Sequence, residues 1–212
     1  ERMAFCVEIP SISSDIEGNR LNLTVGGVKA YNLDSLVSKN SAQRFKVFIG
    51  FRNLVCCNLC VHTDGYLSDL KVHNLDVLYS SILSLLTEFN AVTMAKQLQE
   101  FQQYSLTERQ FAQLIGRARM YRHMPEGDKL LIPEFGFGDA QINNVCQSYY
   151  NDLNFRCNED GSINLWRLYN LLTGANKSSY IDLFLDRSAN AYSVTSGIME
   201  AVRGKADSWY LS

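Results

Sequence analysis

The chain has 212 residues, 46% hydrophobic and 20% charged, which is the composition of a folded globular protein and excludes a disordered or collagen-like chain. Its formal net charge of −2 gives no overall attraction to nucleic acid or anionic lipid, so any polyanion site must be a local basic patch. No apolar run approaches the ~18 residues of a membrane span.

The chain opens on Glu1-Arg2-Met3 without an initiator Met, as expected of a piece of a longer protein, and no signal peptide precedes the first strand pattern. Phe5, Val7 and Ile9 alternate onto one face, as strand residues do. A polar loop from Ser11 to Asn19 follows. Leu21, Leu23 and Val25 then alternate with Arg20, Asn22 and Thr24. Gly26-Gly27 reads as a two-residue hairpin turn, because primed turns need positive φ. After a polar stretch around Ser38–Ser41 come Phe45, Val47, Ile49 and Phe51, then Val55, Cys57, Leu59 and Val61. Asp64-Gly65 is a second hairpin signal, and Leu70 and Val72 suit the returning strand. Residues 3–73 therefore predict an antiparallel sheet of five or six strands.

The period then changes to that of a helix. Leu75, Leu78, Ile82, Leu85, Phe89 and Val92 predict one continuous helix to Phe101, capped by Asn74. Ser105 and Glu108 have capping-box spacing and open a second helix that ends before Pro125. Its buried stripe is Phe111, Leu114, Ile115, Ala118 and Tyr121. Residues 126–138 read as a loop, Asp139 caps a helix to about Asp152, and a short helix spans 163–172. Two more helices are expected near 178–188 and 192–203. Strands followed by helices predict a single α+β domain, strand-rich over 3–73 and helix-rich over 74–203, with the helices packed on the sheet.

Few residue groups suggest chemistry. Cys56, Cys57, Cys60 and His62, with His73 nearby, invite a metal reading. The strand alternation there sends Cys57 and Cys60 to opposite faces, and no second Cys pair stands at ligand spacing. The six cysteines suit reduced thiols in the cytoplasm. Gly174 to Ser179 lacks the glycine that a phosphate loop needs before its lysine. A weaker reading survives, in which the amides of Asn176, Lys177 and Ser178 hold one backbone phosphate at a helix start. The second helix carries Arg109, Arg117, Arg119 and Arg122, opposed only by Glu108. Such residues either snorkel over the core edge or contact phosphates. Trp166, Tyr169, Tyr149 and Tyr150 stand at core spacing. Asp182 and Asp186 lie one helical turn apart, and together with Asp139 they are the sole candidates for a metal-dependent enzyme.

Four segments carry a family likeness: Gly26 to Leu33, Phe48 to Cys60, Tyr104 to Arg117, and Leu165 to Arg187. On them the chain resembles the family called domain of unknown function 3871, across nearly its whole length. Through Val55-Cys56-Cys57-Asn58 and the Trp166 to Asn170 element it is similar, more faintly, to phage- and plasmid-borne proteins of unknown function. The resemblance implies longer family members and a setting of plasmids and prophages, where proteins handle DNA or counter host defences. It brings no activity, cofactor or catalytic residue.

The resulting expectation is a non-catalytic nucleic-acid-binding module, suited to single-stranded DNA, with Arg109, Arg117, Arg119, Arg122, Asn176, Lys177 and Ser178 as its contacts. It uses no cofactor or metal and enters no membrane. The alternative is a protein-interaction or homo-oligomerisation module that does not bind nucleic acid.

Overall fold

A computed structural model describes residues 3–30 and 43–212. The stretch around Ser38–Ser41 and the Tyr31 to Leu33 end of the first family-like segment lie outside them. The chain divides into two compact units, one formed by Glu1–Met94 with Tyr180–Ala189 and the other by Ala95–Ser179 with Asn190–Ser212.

The first unit contains a four-stranded antiparallel sheet: β1 (Met3–Ile16), β2 (Asn19–Ala30), β3 (Gln43–Asn53) and β4 (Leu59–Val72), ordered as in the sequence. The α+β class holds, but among the described residues this sheet has four long strands where the hairpin signals predicted five or six shorter ones. The first turn is Glu17-Gly18, with φ of +50° and +72° and Ile16 opposite Asn19, the two-residue primed geometry. The polar loop expected at Ser11–Asn19 is mostly strand, irregular where the register shifts between Ile9 and Ser13. Gly26-Gly27 lies inside β2, because a Cβ on Gly26 would come 2.5 Å from the Phe5 carbonyl and 2.7 Å from the Phe48 ring. Glycine serves close packing there. Asp64-Gly65 lies within β4, where the register shifts between Phe48 and Gly50.

Against this sheet, Val28, Phe48, Leu59 and Val61 pack with Leu185 and Ala189 from the last helix. Helix α1 (Leu75–Glu88) starts where expected, and Asn74 accepts from Val77 N at 3.0 Å. It stops at Phe89, which is extended. Asn90 then turns its side chain to Thr93 N, and a new helix, α2 (Ala91–Glu100), begins. The expected continuous helix is broken because the Asn90 side chain competes for the backbone donors.

The second unit is mainly helical. Besides most of α2, it holds α3 (Glu108–His123), a short α4 (Glu126–Lys129), α5 (Asp139–Asn151) and α6 (Leu165–Ala175). The capping box sits two residues later than expected, on Thr107 and Gln110, because Ser105-Leu106 forms a two-residue strand, β5. That strand pairs with β6 (Ile163–Asn164). Helix α6 is buried on nearly every side, with Trp166, Leu168 and Tyr169 fully enclosed. The Phe101 ring lies 5.7 Å from Tyr169 and 5.8 Å from Tyr192. The last two expected helices are one, α7 (Ile181–Val202). Asn190 does not break it, because its amide bridges Gly136 N and the Glu134 carbonyl. Among the described residues no single helix is long and apolar enough to cross a membrane.

Candidate functional site

Helix α3 buries Phe111, Leu114 and Ala118. Its arginines are distributed around the rest of the helix. Arg117 and Arg119 are two residues apart, hence about 200° apart on the wheel, and they go to different places. Arg117 donates to the Ser212 carbonyl at 2.6 Å and lies 4.8 Å over the Trp209 ring. Arg119 donates to Asn143 Oδ1 at 2.5 Å. Arg122 donates to the Phe137 carbonyl at 3.2 Å and faces Asp139 at 3.3 Å. Arg109 is exposed.

The Asn176–Ser178 group is differently placed from its expected helix start. It is a 3-10 turn that prolongs α6, so it sits at the electronegative end of a helix, where a phosphate is disfavoured. Asn176 is buried and Lys177 is exposed. Ser178 is not the cap of α7: its hydroxyl donates to the Ala175 carbonyl at 2.9 Å and accepts from Gln141 at 3.0 Å. Gln141 and Asn143 are again about 200° apart on their helix, so Ser178 and Arg119 meet α5 on different sides.

The acidic pair also has a structural setting. The Lys46 ammonium donates to Asp186 and, at 2.7 Å, to the Asp182 carbonyl. The Tyr66 phenol donates to Asp186 at 2.5 Å. Burial, reinforced by that carboxylate, pushes the Tyr66 hydroxyl well above its ordinary value. Asp139 belongs to the other unit. Among the described residues no group of three His, Cys, Asp or Glu side chains could hold a metal.

The thiols diverge as well. Cys57 occupies a turn at φ +57°, not a strand, while Cys60 is buried in β4. Burial pushes the Cys6 and Cys146 thiols up, the opposite of activation. His62 Nδ1 accepts from Asp64 N at 2.9 Å, and burial lowers its pKa despite the nearby Asp64 carboxylate.

One exposed feature of the first unit carries no chemical motif in the sequence, only a strand pattern. β1 is an edge of the sheet. Over Met3–Ile9 its ladder with β2 is regular, and Pro10 lies where the register shifts. Met3 and Val7 are 50% and 59% exposed. The one charge in this run, Glu8, is held by Arg52 at 2.5 Å and by Asn22 at 3.2 Å. Hydrogen bonds to Cys57 and Glu8 raise the Arg52 pKa further. The Met3–Ile9 run therefore carries no lysine and no uncompensated charge, and the proline and the register shift that also protect edges come only after it. The sequence signal was present in Met3 to Ile9, a charge-poor alternating run closed by a proline, but edge position depends on strand order.

No curated protein and no solved structure matches the chain. The sequence profile of one family, described as "Domain of unknown function, B. Theta Gene description", matches residues 1–211, and the chain belongs to this family, domain of unknown function 3871.

Proposed function

We propose that the chain is a non-catalytic assembly module that pairs with a second copy of itself through β1. The observation that carries this reading is the Met3–Ile9 edge, which has no second strand neighbour among the described residues. Antiparallel pairing about Cys6 would set Met3 opposite Ile9, Ala4 opposite Glu8 and Phe5 opposite Val7. Apolar residues then meet apolar residues on one face, no two like charges oppose each other, and Pro10 stays outside the new ladder. The six cysteines support a reducing compartment such as the cytoplasm.

Light scattering on the purified chain tests it. The expected mass is twice the chain's 24.0 kDa, and Val7→Lys, which places a charge on the edge, should halve it. A monomer at high concentration overturns the proposal. The competing proposal is the nucleic-acid module with its plasmid or phage setting. It requires α3 to offer Arg109, and Arg119 after release from Asn143. Labelled single-stranded DNA should show no binding at low salt. Binding with a steep salt dependence that is lost in Arg109→Ala would favour the competing proposal.

A further inference from the structure

The β5–β6 pair links two helix–loop–helix segments of the second unit, with Leu106 opposite Ile163. One runs α2, Phe101–Leu106, α3. The other runs α5, residues 152–163, α6. From this loop into the first turn of α6 the chain reads Arg156-Cys-Asn-Glu-Asp-Gly-Ser-Ile-Asn-Leu-Trp-Arg167. A calcium-binding hand has a twelve-residue loop with side-chain oxygens at its first, third, fifth and ninth positions. It also uses a backbone carbonyl at the seventh, glycine at the sixth and a bidentate glutamate at the twelfth.

Counted from Arg156, Asn158 is third, Asp160 fifth, Gly161 sixth, Ser162 seventh, Asn164 ninth and Arg167 twelfth. Gly161 has the required sharp turn, with φ +76°. The Ser162 carbonyl turns into the loop and accepts from Asn158 N at 2.8 Å. Asn164 caps the exit helix by accepting from Arg167 N at 2.8 Å. The fold of a hand is therefore present, but its first and last ligand positions, where a calcium loop carries carboxylates, hold guanidinium groups. Arg167 reaches back over the loop. Its Nη1 donates to Asn158 Oδ1 at 2.9 Å and to the Arg156 carbonyl at 3.4 Å. We infer that Arg156–Arg167 is a cation-binding hand in which the Arg167 side chain takes the place of the metal.

A covalently tethered cation cannot dissociate, so this hand is held in one state at any calcium level. The loop borders an open recess of about 850 Å³ lined by Leu153, Arg156, Glu159 and Arg167 among others. Solvent cations can reach it, and the two guanidinium groups repel them.

Calcium titration of the whole chain by calorimetry tests the inference. The native chain should take up none, and uptake by it overturns the proposal. The double variant Arg156→Asp with Arg167→Glu restores the carboxylates and should bind calcium with Kd of about 1 mM or tighter, the range of such loops. If that variant is folded and shows no uptake, the proposal fails. If it is unfolded without calcium, millimolar calcium should refold it, and failure to do so is equally fatal. Arg167→Gln should speed amide hydrogen exchange over Asn158–Ser162 several-fold, and unchanged exchange there also overturns the proposal.

Discussion

The phenol of Tyr66 on β4 donates to the carboxylate of Asp186 on α7 at 2.5 Å, across 120 residues of sequence. With Lys46 on the other carboxylate oxygen, Asp186 ties the last helix to the sheet. Its neighbour Asp182, read in the sequence as half of a carboxylate pair, contributes its backbone carbonyl to Lys46. This attachment accounts for the spacing of the pair without a metal.

Removing the phenol should weaken that attachment. Tyr66→Phe is expected to cost about 2 kcal/mol in denaturant unfolding, the scale of a hydrogen bond to a charged group. The folded pKa of Tyr66 is raised, so its contribution is complete below the unfolded value near 10 and declines as pH rises above it. Tyr66→Phe should therefore show a shallower loss of stability above pH 10 than the native chain, and equal slopes would refute this account of the phenol.

His62 predicts the opposite limb. Its pKa is lowered, and its unprotonated Nδ1 is needed to accept from Asp64 N. The stability it supplies is present above the unfolded value near 6.5 and is lost as pH falls through the lower folded value. His62→Gln cannot titrate and should flatten the fall in stability between pH 7 and 5. The check is a set of unfolding curves for both chains across that interval.

Gly161 and Gly204 make a matched pair. Both have positive φ, +76° and +72°, but a Cβ on Gly161 would lie 2.9 Å from Glu108 Cβ, whereas Gly204 has nothing within 4 Å. Gly204→Ala should cost about 1 kcal/mol from backbone strain alone. Gly161→Ala should cost about 2–3 kcal/mol, because the two loop-bearing segments meet there. Equal losses in thermal unfolding would remove the contact contribution.

The arginines separate by what they touch. Arg117→Ala loses the Trp209 face and the Ser212 carbonyl and should lower stability by about 1 kcal/mol. Arg109→Ala, on the exposed side of α3, should change stability by less than about 0.5 kcal/mol. Differential scanning calorimetry of the two variants decides this.

Local signals in the sequence located local structure. The Asn74 cap, the end of α3 before Pro125, and the core role of Trp166 and Tyr169 all follow from rules that act within a few residues. What was hidden depends on partners far along the chain. Gly26 looks like a turn until the Phe48 ring and the Phe5 carbonyl are seen beside it. The fate of Arg117 is set by Trp209 and Ser212, and that of Arg122 by Phe137 and Asp139. The proposed hand around Gly161 has no sequence signature because arginines occupy the two positions by which such loops are recognised, so Asp160-Gly161 reads as an ordinary turn.

The sheet-bearing unit borrows Tyr180–Ala189 from beyond the whole of the other unit's first segment. On the ribosome, Val28, Phe48 and Val61 are made long before Leu185 and Ala189, the residues that cover them. The sheet strands must therefore wait, greasy and unshielded, until more than a hundred further residues have been made. A nascent chain stalled before Tyr180 is the form of this protein most in need of a chaperone.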